Sequence, residues 1–280
     1  MRVRSVLFGP ASRVDFVQKF AAAGADVGVL DLEDATPEAG KAEARETLRS
    51  AVPGAGDRGG MTLLVRTNSI GTPHFADDVA AAAAAEVDGI IVPKLEADRE
   101  VQDVREAMTA AGLGEGILCG GIESVAGVHR AIEVCGAGVD FVYFGAEDFI
   151  TDIGGRRTAS NTEVLYARSQ VVIAARLAGI PATDQVVVDY GDSARFEREA
   201  AEARDLGYSG KLCIHPSQVA LATAAFTPSD DEVEWARGLL AVAEAAEADG
   251  RGVVAFEGTM VDAPIILRAR AVLAQVDGEN

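Results

Sequence analysis

Val142–Gly155 reads VYFGAEDFITDIGG, and just upstream Gly120–Ser124 reads GGIES. Each stretch sets an acidic residue, Glu123 or Asp148, behind a short apolar run, ILCGGIE and DFVYFGAED, that reads as a buried strand. Acidic residues at the C-terminal ends of buried parallel strands are where a β/α barrel keeps its chemistry. Two carboxylates leaving successive strands at one end converge, and like charges at that depth are tolerated chiefly when a cation lies between them. Glu123 and Asp148 therefore read as a Mg²⁺ site, with Mn²⁺ as a substitute. The alternative is one helix cap and one solvated loop acid.

Working outward, strands are expected at Val3–Phe8, Val27–Leu32, Thr62–Arg66, Gly89–Val92, the two runs above, Gln185–Val188 (QVVV) and Gly210–Ile214. Helices are expected from Ser12 to Gly24, Ala39 to Ser50, His74 to Glu86, Asp98 to Ala111 and Ser193 to Leu206. ITDIGGRRTAS, after Asp148, reads as the least regular piece. Ser160 and Glu163 form an S-x-x-E capping box that opens a helix stopped by Gly179 and Pro181. Strict alternation of β and α over this length predicts an α/β fold, a (β/α)₈ barrel over residues 1–224, because no reversal of strand order is marked.

The surplus, residues 225–280, holds a second S-x-x-E box (Ser229, Glu232), a helix to about Ala248, an extended segment RGVVAFEGTMVDAP and a last helix from Ile265 to Val276. This C-terminal extension carries little apolar surface and is expected to pack on the barrel or on a neighbouring subunit.

Composition narrows the function classes. The chain has 280 residues, 49% of them hydrophobic, enough for one large core. Its formal net charge of −19 disfavours nucleic acid and anionic membrane as partners. No apolar run is long enough to span a bilayer or to serve as a signal peptide, and the three cysteines, Cys119, Cys135 and Cys213, lack metal-knuckle spacing, which suits a reducing cytoplasm. Only three histidines are present, so an oxygen-ligated hard cation is favoured over zinc.

Other acids crowd the strand ends: Asp31, Glu33 and Asp34 follow the second strand, where they either complement a helix dipole or support the metal through water. Arg66 ends the third strand, as an anchor for a carboxylate or developing oxyanion or as a rim salt bridge. Gly145 and Ala146, ahead of Glu147, either offer backbone N–H groups to a substrate carboxylate or form an ordinary turn. Phe8, Arg13 and Lys19 could stack an adenine and meet phosphates, against the plainer reading of solvated charges. His215 is a candidate base or a turn hydrogen-bonder, and Asp262 a general acid or base or a helix cap.

Together RSVLFGPASR with Lys19, VLDLEDATPEAGKAEAR, VRTN, GIIVPKLE, GGIES, VYFGAEDF, GYSGKLCIHPSQ and EGTMVDAP resemble the citrate lyase beta subunit-like proteins. That family, grouped with the HpcH/HpaI aldolases, also holds malyl-CoA and citramalyl-CoA lyases. The resemblance implies a (β/α)₈ barrel in homotrimers or hexamers. It implies Glu123 and Asp148 as Mg²⁺ ligands, Arg66 on the keto acid, Phe8, Arg13 and Lys19 on coenzyme A, and Asp262 as an acid–base group supplied by a neighbouring subunit's tail. Thr36 and Thr67 depart from the usual aliphatic residues of LEDAVP and VRIN, next to functional positions. The expected reaction is Mg²⁺-dependent cleavage of a 3-hydroxyacyl-CoA thioester to an acyl-CoA and a 2-keto acid. The alternatives are a synthase or thioesterase that releases free CoA, and a carrier-protein-dependent citrate lyase subunit that is inactive alone.

Overall fold

The computed structural model describes residues 1–248 and 254–277. Eight parallel strands close on themselves: β1 (Ser5–Pro10), β2 (Val27–Asp31), β3 (Thr62–Arg66), β4 (Gly89–Val92), β5 (Ile117–Ile122), β6 (Phe141–Phe144), β7 (Ala182–Asp184) and β8 (Gly210–Cys213). Closure is made by β1 on β8, with Ser5 opposite Lys211 and Leu7 opposite Cys213. Helices fill the crossovers: α1 (Asp15–Ala23), α2 (Lys41–Ala51), α3 (Phe75–Ala84), α4 (Asp98–Ala110), α5 (Val125–His129), α6 (Ala131–Gly136), α7 (Ala146–Asp152), α8 (Leu165–Ala178), α9 (Ser193–Leu206) and α10 (Pro216–Ala225).

Alternation along the strands builds the interior. Val6, Val27, Val29, Leu64, Ile91, Cys119, Phe141, Tyr143 and Leu212 form one buried cluster, with Phe8 and Val186 packed against it. A side-chain period of two sends every second residue of each strand into the barrel, so it is a filled core and not a pore.

Three expectations need correction. β7 is Ala182–Asp184, not Gln185–Val188. Thr183 pairs with Tyr143 on one side and Gly210 on the other, while the apolar run beyond it leaves the sheet. The strand that does form ends in a fully buried Asp184, tolerated because Lys211 Nζ lies 2.7 Å from it and Arg168 grips both of its oxygens at 3.0 and 3.1 Å. Second, no capping box forms at Ser160. Asn161 takes a left-handed φ of 53°, and Glu163 instead accepts from the Thr158 amide and from Arg157. Third, the segment after Asp148 begins inside α7 and is irregular only past it. Helix α1 also starts later than Ser12, at Asp15, without a side-chain cap.

The chain forms two compact units, one of Val3–Thr223 and a second of Ala224–Asn280 with Met1–Arg2. The second unit holds α11 (Asp230–Ala248), the antiparallel pair β9 (Val254–Phe256) and β10 (Thr259–Val261), and α12 (Ala263–Asp277). Here the capping box is made: Glu232 N donates to Ser229 Oγ at 3.2 Å and Ser229 N to Glu232 Oε2 at 2.8 Å. Glu257 and Gly258 both have positive φ, as a two-residue hairpin turn requires. Ala236, Leu239, Val261 and Ala269 are its buried centre, with Trp235 and Phe256 against them. The start of the expected extended segment, residues 251–253, lies outside the described residues.

Candidate active site

At the C-terminal ends of β2 to β6 the barrel gathers Asp31, Glu33, Arg66, Lys94, Glu123, Tyr143 and Asp148. Asp31 is the last residue of β2 and is buried; its two oxygens take the Arg66 guanidinium as a fork, at 2.7 and 2.5 Å, and also accept the amides of Glu33 and Ala35. A planar bidentate pair fixes both position and plane. Arg66 then reaches Glu33 Oε2 at 2.9 Å through its other nitrogen, touches Asp34 at 3.4 Å, and lies over the Phe8 ring at 5.2 Å. The rim salt bridge expected for Arg66 is thus present. Burial pulls down the pKa of Arg66, but the Asp31 hydrogen bonds raise it further still, so it is held cationic.

Lys94 stands two residues past β4 with a left-handed φ of 56°, uncommon for a residue with a side chain. Its amide donates to Glu123 Oε1 at 3.1 Å, and its ammonium donates to Glu33 Oε1 at 2.8 Å and lies 3.4 Å from Asp148 Oδ2. Burial lowers the pKa of Lys94, yet the Glu33 hydrogen bond and the charges of Glu33, Glu123 and Asp148 leave it raised. Glu33 itself is raised: its burial outweighs the nearby Arg66 and Lys94 charges.

Glu123 follows β5 directly and is 3% exposed. Its Oε1 accepts from Lys94 N and from the Tyr143 hydroxyl at 2.9 Å, while Oε2 has no hydrogen-bond partner among the described residues. Burial, then the charges of Glu33 and Asp148, push its carboxyl up to about 7. Two glycines make this possible. A Cβ on Gly145 would lie 2.6 Å from Glu123 Cβ and closer still to Oε2, and one on Gly121 would lie 2.5 Å from the Tyr143 hydroxyl. Asp148 enters from the first turn of α7 and is 40% exposed.

A hard divalent cation fits this donor set. One oxygen of the buried Glu123, Oε2, accepts no hydrogen bond among the described residues and is packed so closely on Gly145 that any side chain there would collide with it, and a second carboxylate, Asp148, is 40% exposed. No cluster of three or more metal-capable side chains exists among the described residues. Mg²⁺ commonly takes only one or two carboxylates and completes its shell with water and substrate oxygens.

The expected residues do not all meet. Phe8 joins Arg66 in the barrel, whereas Arg13 and Lys19 both pair with Asp15 and flank Phe16 instead. Gly145 cannot offer its amide to a substrate, because that N–H donates to the Ile122 carbonyl at 3.2 Å. It serves the site through its missing side chain. Glu147 pairs with Arg157 at 3.0 Å. His215 is a turn residue: Nδ1 meets Ser217 Oγ at 2.8 Å, and the ring stacks on Tyr190. Asp262 lies exposed between β10 and α12, where its carbonyl, not its carboxylate, accepts the amides of Ile265 and Ile266.

Sequence reasoning passed over Lys94 and Tyr143. Lys94 carried the same signal as Arg66, a cation at a strand's C-terminal end, and Tyr143 was a lone hydroxyl in an apolar strand. The acid loop is also braced from behind. Buried Lys41 donates to the carbonyls of Leu32 and Glu33 and to Asn68, and Asn68 is held by Asp78, which Arg45 grips at 2.6 Å.

Comparison with known proteins gives the family and the fold. A citrate lyase subunit beta-like protein of Deinococcus radiodurans is 44% identical over 278 residues, covering 97% of this chain and 96% of that protein. An L-malyl-CoA/beta-methylmalyl-CoA lyase of Cereibacter sphaeroides is 34% identical, covering 98% and 94%. The crystal structure of CitE from Mycobacterium tuberculosis in complex with magnesium, acetoacetate and coenzyme A superposes with a TM-score of 0.81 at 33% identity, over 98% of this chain and 97% of that one. The sequence profile of the HpcH/HpaI aldolase/citrate lyase family matches residues 4–216. The chain belongs to the HpcH/HpaI aldolase/citrate lyase family.

Proposed function

We propose that this chain is a Mg²⁺-dependent carbon–carbon lyase that cleaves a 3-hydroxyacyl-CoA thioester of the malyl, citramalyl or citryl type into an acyl-CoA and a 2-keto acid. The observation that carries the reading is Glu123, buried, with one oxygen fixed by two donors and the other bare beside Gly145 and facing no protein partner among the described residues. Lyases of malyl-CoA and citramalyl-CoA among its relatives, and magnesium and coenzyme A bound together in a similar structure, support the same class.

Glu123 and Asp148 would hold the ion, which when bound supplies a Lewis acid for the carboxylate and hydroxyl of the substrate. Arg66, locked in plane by Asp31, presents fixed positive charge where the hydroxyl oxygen turns negative as its proton passes to solvent water. The C2–C3 bond then breaks, C3 becomes the carbonyl carbon of the 2-oxo acid, and the electron pair passes to C2 as the enolate of the acyl thioester. Asp262, supplied by the tail of a neighbouring copy, protonates C2. Phe8, Arg13 and Lys19 remain the proposed coenzyme A contacts; Asp15, now paired with both cations, would have to share them with phosphate.

The test is a panel of malyl-, citramalyl- and citryl-CoA, each assayed with Mg²⁺ and with chelator. Chelator-sensitive release of acyl-CoA and keto acid is expected, and Asp262→Asn is expected to lower turnover by about 10² to 10⁴. Release of free thiol in step with product would instead indicate a synthase or thioesterase. Silence on every CoA thioester would indicate a carrier-protein-dependent subunit. Full turnover of Asp262→Asn with metal and substrate saturating would remove Asp262 from the mechanism.

A further inference from the structure

Lys94 has two separable jobs at the site, one done by its backbone and one by its side chain. The amide fixes Glu123 Oε1, and the left-handed φ of 56° belongs to that placement. The ammonium is divided unequally between two acids: a 2.8 Å hydrogen bond to Glu33 and a longer, 3.4 Å ion pair to Asp148. Glu33 is nearly enclosed, with its side chain 11% exposed, whereas Asp148 is 40% exposed. Among the described residues Asp148 has no other ionic partner. The weakly held carboxylate is thus one of the two that would bind the ion, and the tightly held one is not.

Resting on the Mg²⁺ reading of Glu123 and Asp148, we propose that the Lys94 ammonium is a displaceable counter-cation. It neutralises Asp148 while no divalent ion is bound, and yields Asp148 and withdraws to Glu33 alone when one enters. Two like charges cannot share one carboxylate at contact distance without strong repulsion in a partly buried site. Metal entry must therefore break the Lys94–Asp148 pair, and Lys94 makes binding weaker than the two carboxylates alone would make it. The residue is a positioning group: it acts through Asp148 and sets how readily the ion is exchanged.

The test is calorimetric titration of Mn²⁺ alone into the purified full chain, with Lys94→Asn, Lys94→Arg and Asp148→Asn alongside. Asparagine is uncharged and tolerates the left-handed backbone, and it keeps the main-chain amide on Glu123. Lys94→Asn is expected to bind Mn²⁺ about tenfold more tightly than the parent, and Lys94→Arg within about threefold of it. A merely structural lysine would give the opposite, weaker binding with a lower melting temperature. Unchanged or weaker binding in Lys94→Asn, with the parent still binding and Asp148→Asn not, overturns this proposal alone. Failure of the parent to bind Mn²⁺ overturns it together with the metal reading.

Discussion

Replacing Glu123 by glutamine isolates the cost of keeping an ionised carboxylate in the barrel. Its carboxyl is displaced from 4.5 in the open chain to about 7 when folded, chiefly by burial. Between those pH values the folded state holds a proton that the unfolded state has released, so stability falls as pH rises across that window. At pH 8 without metal the whole shift is lost from the fold, about 3 kcal/mol on an order-of-magnitude reading. Glutamine carries no charge but still offers Oε1 to the Tyr143 hydroxyl and to the Lys94 amide. In chelator at pH 8, Glu123→Gln is therefore expected to melt higher than the parent, by roughly 6–12 °C given 2–4 °C per kcal/mol for a chain of this size. The two should converge near pH 4.5. Adding Mg²⁺ should raise the parent and leave the variant unmoved, because an ion that binds only the folded state stabilises by mass action. Differential scanning fluorimetry across pH 4.5–8.5, with and without Mg²⁺, reads all three. A variant that melts at or below the parent at pH 8 in chelator would refute the electrostatic account of this site.

Two further outcomes follow from the same geometry. Gly145→Ala has an ordinary backbone conformation to occupy, φ −100°, so its Cβ acts only by crowding Glu123. It should cost about 1–3 kcal/mol by urea denaturation and weaken Mg²⁺ binding at least tenfold, whereas unaltered affinity would show that the close packing of Glu123 on Gly145 is irrelevant to the metal. Arg66→Lys keeps the charge but loses the fork on Asp31; kcat/KM on the preferred thioester should fall by about 10², with Mg²⁺ affinity held within a few-fold. Equal losses in both quantities would place Arg66 in support of the metal and not on the substrate.

The barrel was legible wherever a strand announces itself locally. Thr62–Arg66 and Gly89–Val92 are short runs with apolar centres, LLV and IIV, bounded by turns, and both form as read. The seventh strand was not, because its burial depends on partners far along the chain. Asp184 looks like a surface residue until Lys211, 27 positions on, and Arg168, on the preceding helix, neutralise it. The QVVV run beside it was the stronger local signal and the wrong one. The site divides in the same way. Glu123 and Arg66 stand directly at strand ends and could be read from pattern. Lys94 binds Glu33 across 61 positions and Glu123 across 29, and no spacing rule reveals that. The role of Gly145 needed the position of a neighbour's side chain, which sequence does not give.

Arg168, Asp184 and Lys211 have a consequence for how the barrel meets heat. All three side chains are fully excluded from water, so at room temperature their lost hydration offsets most of their mutual attraction. Hydration of charged groups becomes less favourable as temperature rises, so that penalty shrinks while the contacts persist. This trio should weigh least on the fold near its melting point, lending the β7–β8 seam a resistance to warming that an aliphatic filling would not supply.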